Sequence, residues 1–257
     1  MSDINDNINP DELRRFEAAA SKWWDLEGGY AALHCINPLR VRFIDTSVAG
    51  LSGKMVLDVG CGGGVLAEAM AARGARVTGI DMGEAALSVA RRHGRNNGLP
   101  VTYHRSTVEA FEDAPAGGYD AVTCMELLEH VPSPASVIGG CARLLKPGGH
   151  LVIATLNRTL RSWLLAIVMA EWVLGIVTRG THSWRQFVRP ADIAAWGASA
   201  GLRTNAVTGL RYLPYLNHAG LCRSTSVNYM MHLTLAPAPA PTATLRPVAA
   251  ARTTENG

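Results

Sequence analysis

The sequence predicts an α/β fold in which helices cover both faces of a mostly parallel β-sheet. Between residues 54 and 157, short apolar runs alternate with stretches of helical character. The runs are almost continuously apolar, which is typical of strands buried on both faces. Glycine and proline separate runs from helices, as in the segment KPGG at residues 146–149. Together these observations favour parallel strands joined by crossover helices.

The elements follow one another in a regular order. Helices are predicted over residues 10–25 and 37–48, and Pro10 with the acidic pair after it suits a first helical turn. Strands are then predicted at 55–59, 76–81, 101–106, 119–125 and 150–157, with helices at 65–73, 83–97 and 135–145. A later helix is expected over 189–202, and strands near 203–212 and 226–235 would add an antiparallel edge.

The chain divides into three predicted parts. Residues 1–49 form an N-terminal helical cap, and residues 50–235 form the main domain with an apolar insertion at about 160–188. Residues 236–257 are rich in proline and alanine and contain few large apolar side chains. Such a composition cannot bury a core, so we expect this tail to be disordered.

Composition excludes several classes of protein. Hydrophobic residues make up 48% of the 257 residues, which is enough for a real core. The 24 Lys and Arg exceed the 21 Asp and Glu by only three, too weak an excess to indicate a nucleic-acid partner. The five cysteines are dispersed and predict neither a disulfide framework nor a zinc site. The polar N-terminus lacks a signal-peptide pattern, so a reduced, cytoplasmic protein is expected.

A glycine-rich loop follows the first predicted strand. Its sequence is DVGCGGG at residues 58–64, and a helix begins directly after it. Glycines at such a place allow a tight turn and let a ligand approach the backbone. The spacing of Gly62, Gly64 and Ala67 also satisfies the dinucleotide pattern G-x-G-x-x-A, which is weak evidence when it stands alone.

Two aspartates favour S-adenosylmethionine as the ligand. Asp58 precedes the glycines, where a carboxylate would repel a pyrophosphate but attract an ammonium or sulfonium group. Asp81 ends the second strand, where an acidic side chain can accept hydrogen bonds from both ribose hydroxyls. Because Asp81 suits a dinucleotide equally well, the discrimination depends on Asp58.

The motif D-x-G-x-G-x-G resembles motif I of the seven-stranded, Rossmann-like methyltransferases, whose sheet ends in an antiparallel strand pair. A more specific resemblance covers most of the chain, and eight segments carry it: FEAAASKWWDLEGG, LHCINPLR, VLDVGCGGG, TGIDMG, DAVTCMELLEHV, KPGGHLVIATLNRT, RGTHSW and VNYMMH. With these segments the chain resembles the O-methyltransferases of ubiquinone biosynthesis, which implies activity on polyprenyl catechols and demethylubiquinol.

The resemblance implies particular cofactor contacts. It places S-adenosylmethionine against Arg40, Gly60, Asp81 and Met125, in addition to the glycine loop with Asp58 and Gly62. An arginine can hold the methionine carboxylate with two parallel hydrogen bonds. A methionine offers a soft apolar surface to the adenine or to the methylthio end of the cofactor.

Three polar residues follow the fourth strand, where an acceptor would lie. In one helical turn the spacing of Glu126, Glu129 and His130 would group them on one side. His130 is a candidate general base, oriented by Glu129 or Glu126. Alternatively, by resemblance to metal-dependent relatives, the three would bind a divalent cation such as Mg²⁺ that lowers the pKa of a catechol. The histidine weakens that assignment, since Mg²⁺ prefers oxygen ligands.

The apolar insertion predicts a contact with a membrane surface. Residues 163–177 contain a single charge but are shorter than a membrane span. Arginines flank the stretch, and Trp163 and Trp172 lie within it, a pattern typical of a helix at a bilayer interface. We therefore expect contact at about residues 161–179 and peripheral association with the inner face of the membrane. A buried helix or a dimer contact remains the alternative.

Several functions remain open from the sequence. The favoured one is methylation of a polyprenyl catechol or demethylubiquinol. Association with other enzymes of that pathway is expected with it. A small-molecule O-methyltransferase of another pathway is the nearest alternative. A dinucleotide-dependent oxidoreductase and a catalytically inactive, membrane-associated binding protein are the others.

Overall fold

The computed structural model describes residues 7–28, 30–112, 117–159, 162, 186–213 and 216–237. Most of the apolar insertion, including the stretch 163–177, lies outside the described residues, as does the tail from residue 238. The predictions for those segments therefore stay predictions. Among the described helices, none has the length and apolar character needed to cross a membrane.

Six α-helices are described. They are α1 (Pro10–Ala18), α2 (Ala31–Ser47), α3 (Val65–Ala71), α4 (Glu84–Asn96), α5 (Pro134–Leu144) and α6 (Pro190–Ser199). Short 3₁₀ turns occupy Ala20–Lys22 and Leu128–His130.

Eight strands form one sheet. They are β1 (Met55–Val59), β2 (Arg76–Asp81), β3 (Val101–Arg105), β4 (Tyr119–Met125), β5 (Leu145–Leu156), β6 (Leu202–Leu213), β7 (His218–Cys222) and β8 (Asn228–Leu235). Their order across the sheet is β3-β2-β1-β4-β5-β8-β6-β7. The first five pair in parallel, whereas β6, β7 and β8 pair antiparallel. The predicted Rossmann-like sheet is therefore confirmed.

Both faces of the sheet are covered. Alternate residues of β1 enter different apolar clusters: Val56 packs with residues of α2 and α3, while Leu57 and Val59 pack with residues of α5 and α6. This double burial explains why the central strands are almost continuously apolar.

The structure differs from the prediction at four elements. The helix α1 ends at Ala18 rather than near residue 25, and a separate 3₁₀ turn follows it. The helix α2 begins at Ala31 rather than near residue 37, and Pro38 lies inside it, although proline lacks the N–H of a helix interior. Burial of Ile36 and Val41 shows that tertiary packing outweighs this local cost. The strand β5 begins at Leu145, and the additional strand β7 makes the sheet eight-stranded.

We predict that the β6–β7 hairpin tolerates an added Cβ at Gly220 of β7 but not at Gly209 of β6. A Cβ at Gly209 would lie 1.9 Å from the carbonyl oxygen of Ser224, whereas one at Gly220 has nothing within 4 Å. Gly209→Ala should lower the free energy of unfolding by about 1–3 kcal/mol, and Gly220→Ala should change it by less than about 0.5 kcal/mol. Urea unfolding followed by circular dichroism measures both, and equal effects would contradict this packing.

Candidate active site

A cavity of about 800 Å³ opens at the carboxyl ends of the parallel strands. The strand order reverses between β1 and β4, and open α/β sheets bind ligands at such a point. All the predicted site residues line the cavity: Arg40, Asp58, Gly60, Gly62, Asp81, Met125, Glu126, Glu129 and His130. The fold therefore brings together the cofactor and acceptor residues named from the sequence.

The glycine loop adopts backbone conformations that favour glycine. Gly60, Gly62 and Gly64 have φ values of 72°, 50° and 87°, and Gly64 precedes the first residue of α3. A Cβ at Gly62 would lie 2.5 Å from the indole of Trp23. The neighbouring Trp24 donates a hydrogen bond from its Nε1 to the carbonyl of Gly63 at 3.0 Å. The N-terminal segment thus packs directly on this loop.

Asp81 ties the second strand to the glycine loop. Its Oδ2 accepts a hydrogen bond from the amide of Gly62 at 2.9 Å, and its Oδ1 accepts one from Gly83 at 2.7 Å. Burial nevertheless raises the pKa of this carboxyl above its ordinary value, against the effect of these hydrogen bonds. Each carboxylate oxygen has two lone pairs, so both can accept a further hydrogen bond from a ligand.

Asp58 is buried at the end of β1. Its Oδ1 accepts a hydrogen bond from Thr123 Oγ1 at 2.6 Å, while its Oδ2 has no partner among the described residues. Burial raises the pKa of Asp58 to about 7, although Thr123 and the charge of Arg40 act in the opposite direction. A cationic ligand group at this carboxylate would favour its ionised form.

Arg40 reaches the same cavity from α2. Only 2% of its side chain is exposed, and its Nη2 donates to the carboxylate of Glu126. Its Nε has no partner among the described residues, so the guanidinium retains hydrogen-bonding capacity. Glu126 also accepts a hydrogen bond from Asn228 Nδ2 at 3.3 Å. This arrangement places a positive side chain near Asp58, at the boundary with the candidate acceptor residues.

The three polar residues after β4 have different partners. Glu126 has a φ of 52°, and the 3₁₀ turn begins only at Leu128, so the expected regular helical turn is wrong. The Oε2 of Glu129 accepts a hydrogen bond from Thr155 Oγ1 at 2.6 Å, and burial with the nearby charge of Glu126 raises its pKa to about 7. His130 Nδ1 lies 3.1 Å from Glu12 Oε2.

The charge state of His130 reflects this environment. Burial alone would lower the pKa of the imidazole, but the hydrogen bond with Glu12 and the charge of Glu129 raise it overall. The same hydrogen bond lowers the pKa of Glu12. Within the described ranges, no three His, Cys, Asp or Glu side chains are arranged to hold a metal ion.

Sequence reasoning missed several residues that line the cavity. The segment 106–109 follows the carboxyl end of β3. Because ligands bind at the carboxyl ends of parallel strands, the argument used for Asp81 applies to this segment as well. Tyr212 and Cys222 reach the cavity from the β6–β7 hairpin, whose second strand the sequence does not predict, and Ser224 reaches it from the loop after β7. Glu12 and Trp23 come from the N-terminal segment, and no local pattern signals their long-range contacts.

Comparisons with known proteins establish the family. A family profile described as "Methyltransferase domain" matches residues 39–207. A ubiquinone biosynthesis O-methyltransferase from Pectobacterium carotovorum is 52% identical over 226 residues, which are 88% of this chain and 95% of that protein. The chain belongs to the ubiquinone biosynthesis O-methyltransferase family. A member from Hahella chejuensis is 53% identical over 227 residues and covers 88% of this chain and 95% of its own.

Solved structures of other methyltransferases share the fold. A magnesium protoporphyrin IX methyltransferase from Synechocystis, solved with bound SAH, is 20% identical, covers 80% of this chain and 84% of its own, and has a TM-score of 0.60. A SAM-dependent methyltransferase from Thermotoga maritima has a TM-score of 0.61 at 13% identity and covers 86% and 98% of the two chains.

Family membership decides between two of the open functions. The protein is a methyltransferase, so the resemblance carried by the sequence motifs is confirmed. The dinucleotide-dependent oxidoreductase is excluded. The glycine spacing that suggested it occurs in both kinds of enzyme.

We predict that the buried carboxyl of Asp58 destabilises the protein as the pH rises. The unfolded group loses its proton near pH 4, whereas the folded group retains it to about pH 7. Folding therefore takes up a proton between these values, and stability falls with rising pH. The free energy of unfolding of Asp58→Asn, relative to wild type, should increase between pH 5 and 7.5 and then level off.

Asp120→Asn is the matched control for this measurement. Although burial opposes it, hydrogen bonds from Lys146 and the Met55 amide hold the pKa of Asp120 below its ordinary value. Its carboxyl is therefore ionised in both states above pH 5, and the difference from wild type should stay constant. A flat profile for Asp58→Asn as well would contradict the raised pKa.

Proposed function

We propose that the protein transfers the methyl group of S-adenosylmethionine to a hydroxyl of a polyprenyl catechol or of demethylubiquinol. The observation that carries the proposal is a single cavity holding a glycine loop with two aspartates at one end and His130 with two glutamates at the other. Its close relatives are named for O-methylation in ubiquinone biosynthesis, which supports this acceptor class.

The residues of the cavity fit S-adenosylmethionine. The unpartnered Oδ2 of Asp58 would accept from the ammonium group, and Arg40 would hold the carboxylate of the methionine moiety. Asp81 would bind the ribose hydroxyls, the amides of Gly60 and Gly62 would lie beside the ligand, and Met125 would contact its apolar part. When bound, the cofactor supplies a methyl group made electrophilic by its sulfonium.

His130 would act as the general base. A phenol has a pKa near 10, so ionising it at pH 7 costs on the order of 4 kcal/mol. Transfer of the phenol proton to the imidazole offsets this cost as the oxygen–methyl bond forms and the sulfur–methyl bond breaks. Glu129, which is buried beside the base, would stabilise the resulting imidazolium.

A divalent cation is the alternative means of lowering the phenol pKa. In support of a cation site, the same cavity is lined by Glu126, Glu129 and His130. Their separate partners argue against the three acting together: Thr155 holds Glu129, Arg40 holds Glu126, and among the described residues no three such side chains converge on one point. We therefore assign the base role to His130 and leave Mg²⁺ as an outcome of the experiment.

The proposed acceptor also explains the apolar insertion. A polyprenyl chain partitions into lipid, so an enzyme that acts on it benefits from contact with the bilayer surface. We propose that residues 161–179 provide this contact and hold the protein at the inner face of the membrane. Association with other enzymes of the pathway would shorten the route of such an insoluble intermediate.

We predict methyl transfer from labelled S-adenosylmethionine to a short-chain prenyl catechol. Wild type should be active with and without EDTA, and His130→Gln should reduce kcat by about 10²–10⁴-fold with little change in affinity for S-adenosylhomocysteine. Loss of activity in EDTA, restored by Mg²⁺, would favour the cation mechanism instead.

The acceptor assignment has its own negative outcomes. Cofactor binding without transfer would indicate a catalytically inactive binding protein. Transfer to simple catechols that equals or exceeds transfer to prenylated ones would indicate a small-molecule O-methyltransferase of another pathway. Either result would contradict the proposed function.

We predict that the protein sediments with vesicles containing anionic phospholipid. Trp163→Glu should reduce the bound fraction several-fold, because it places a charge in the apolar stretch. Leu26→Glu is the control, since Leu26 is a 63% exposed apolar residue outside that stretch. Equal binding of Trp163→Glu and wild type would contradict an interfacial role for residues 161–179.

A further inference from the structure

The helix α1 brings a carboxylate to the candidate base. Glu12 Oε2 lies 3.1 Å from His130 Nδ1, although 118 residues separate the two in sequence. Both side chains are only 19% exposed, so solvent screens the contact weakly. Phe16, one turn further along α1, packs its ring edge-on against the imidazole at 5.2 Å between centroids.

Other contacts fix Glu12 in this position. The Oδ1 of Asn9 caps α1 by accepting from the amides of Asp11 and Glu12 at 3.1 and 3.4 Å. The Oε1 of Glu12 accepts from Arg15 at 3.0 Å, which leaves Oε2 directed at the histidine. The carboxylate is therefore held from both sides.

The start of α1 is anchored to the same loop that carries His130. Asn7 Oδ1 accepts from the amide of Ser133 at 2.6 Å, and Asn7 Nδ2 donates to the Ser133 carbonyl at 3.0 Å and to Glu109 Oε1 at 2.6 Å. The helix and the loop after β4 thus meet at a defined register.

We propose that Glu12 is the positioning residue for His130, and that the docked N-terminal helix completes the catalytic pair. This inference rests on the proposed function, in which His130 accepts the phenol proton. A carboxylate at Nδ1 keeps the ring proton on that nitrogen, so the lone pair lies on Nε2. It also fixes the orientation of the ring and stabilises the imidazolium that forms.

Glu129 has a different place in this arrangement. Its Oε2 accepts from the buried hydroxyl of Thr155, and its charge acts on His130 through the protein interior. Glu12 instead makes a direct hydrogen bond to the imidazole. We therefore assign the orienting role to Glu12 of the N-terminal segment and not to Glu129, the neighbour of His130 in sequence.

The test compares two acceptors of different acidity. A short-chain prenyl catechol needs a base to lose its proton, whereas its nitro-substituted analogue is far more acidic and loses it without help. Glu12→Gln should lower kcat for the first acceptor by about ten-fold or more and for the second by less than about three-fold. Affinity for S-adenosylhomocysteine, measured by calorimetry, should stay within two-fold of wild type.

Two further variants keep the outcome clear. Asp11→Asn changes an exposed carboxylate on the same helix that pairs with Arg14, and it should leave both rates unchanged. Glu12→Asp keeps the charge and should retain more of the rate on the weakly acidic acceptor than Glu12→Gln does.

Two results with Glu12→Gln would overturn the inference while leaving the proposed function intact. One is equal slowing of both acceptors, which would show that Glu12 only holds α1 in place. The other is unchanged rates on both. If wild type methylated neither acceptor, the proposed function itself would fail, and the inference with it.

Discussion

A parallel sheet that is buried on both faces leaves one place for ligands, the crevice at the carboxyl ends of its strands. In this protein the crevice lies where the strand order reverses between β1 and β4. Asp58, Asp81 and Met125 reach the cavity because each stands at or beside the end of a strand. The position of the candidate cofactor site is therefore a consequence of the sheet topology, and the helix α2 adds Arg40 to it.

The N-terminal segment closes the cavity with polar and aromatic contacts. No residue of α1 is buried, and hydrogen bonds of Asn7 and Glu12 hold the segment to the loop that carries His130. Segments with few buried apolar contacts open at a lower free energy than the core. This segment is thus among the described parts of the chain that are expected to open most easily.

Most of the strands of the sheet could be predicted from the sequence. The strands β1, β2 and β4 match the prediction to the residue, because strands buried on both faces are continuous apolar runs with clear ends. The strand β7 was missed because its sequence, HAGLC, contains small and polar residues and lies at the sheet edge. Edge strands bury little surface, so their pattern is weak.

The residues of the candidate site also fall into those that the sequence predicts and those that it does not. Asp58 and Asp81 could be found because their roles follow from strand ends and from the glycine loop. The contact of Glu12 with His130, and the packing of Trp23 on Gly62, join parts of the chain that are far apart in sequence. Neither has a periodicity or a spacing that signals it, so only the folded chain reveals them.

Several polar residues of the cavity lower the stability of the fold. Asp58 and Glu129 are buried carboxyls, each with a pKa raised by burial to about 7, so holding them ionised works against the fold. Glu126 has a positive φ, which is strained for a residue other than glycine. The turn that this conformation makes directs Glu126 to Arg40 and carries the chain on to His130. A hydrophobic sequence here would avoid these costs, but it could not supply the charged and proton-accepting groups that the proposed reaction uses.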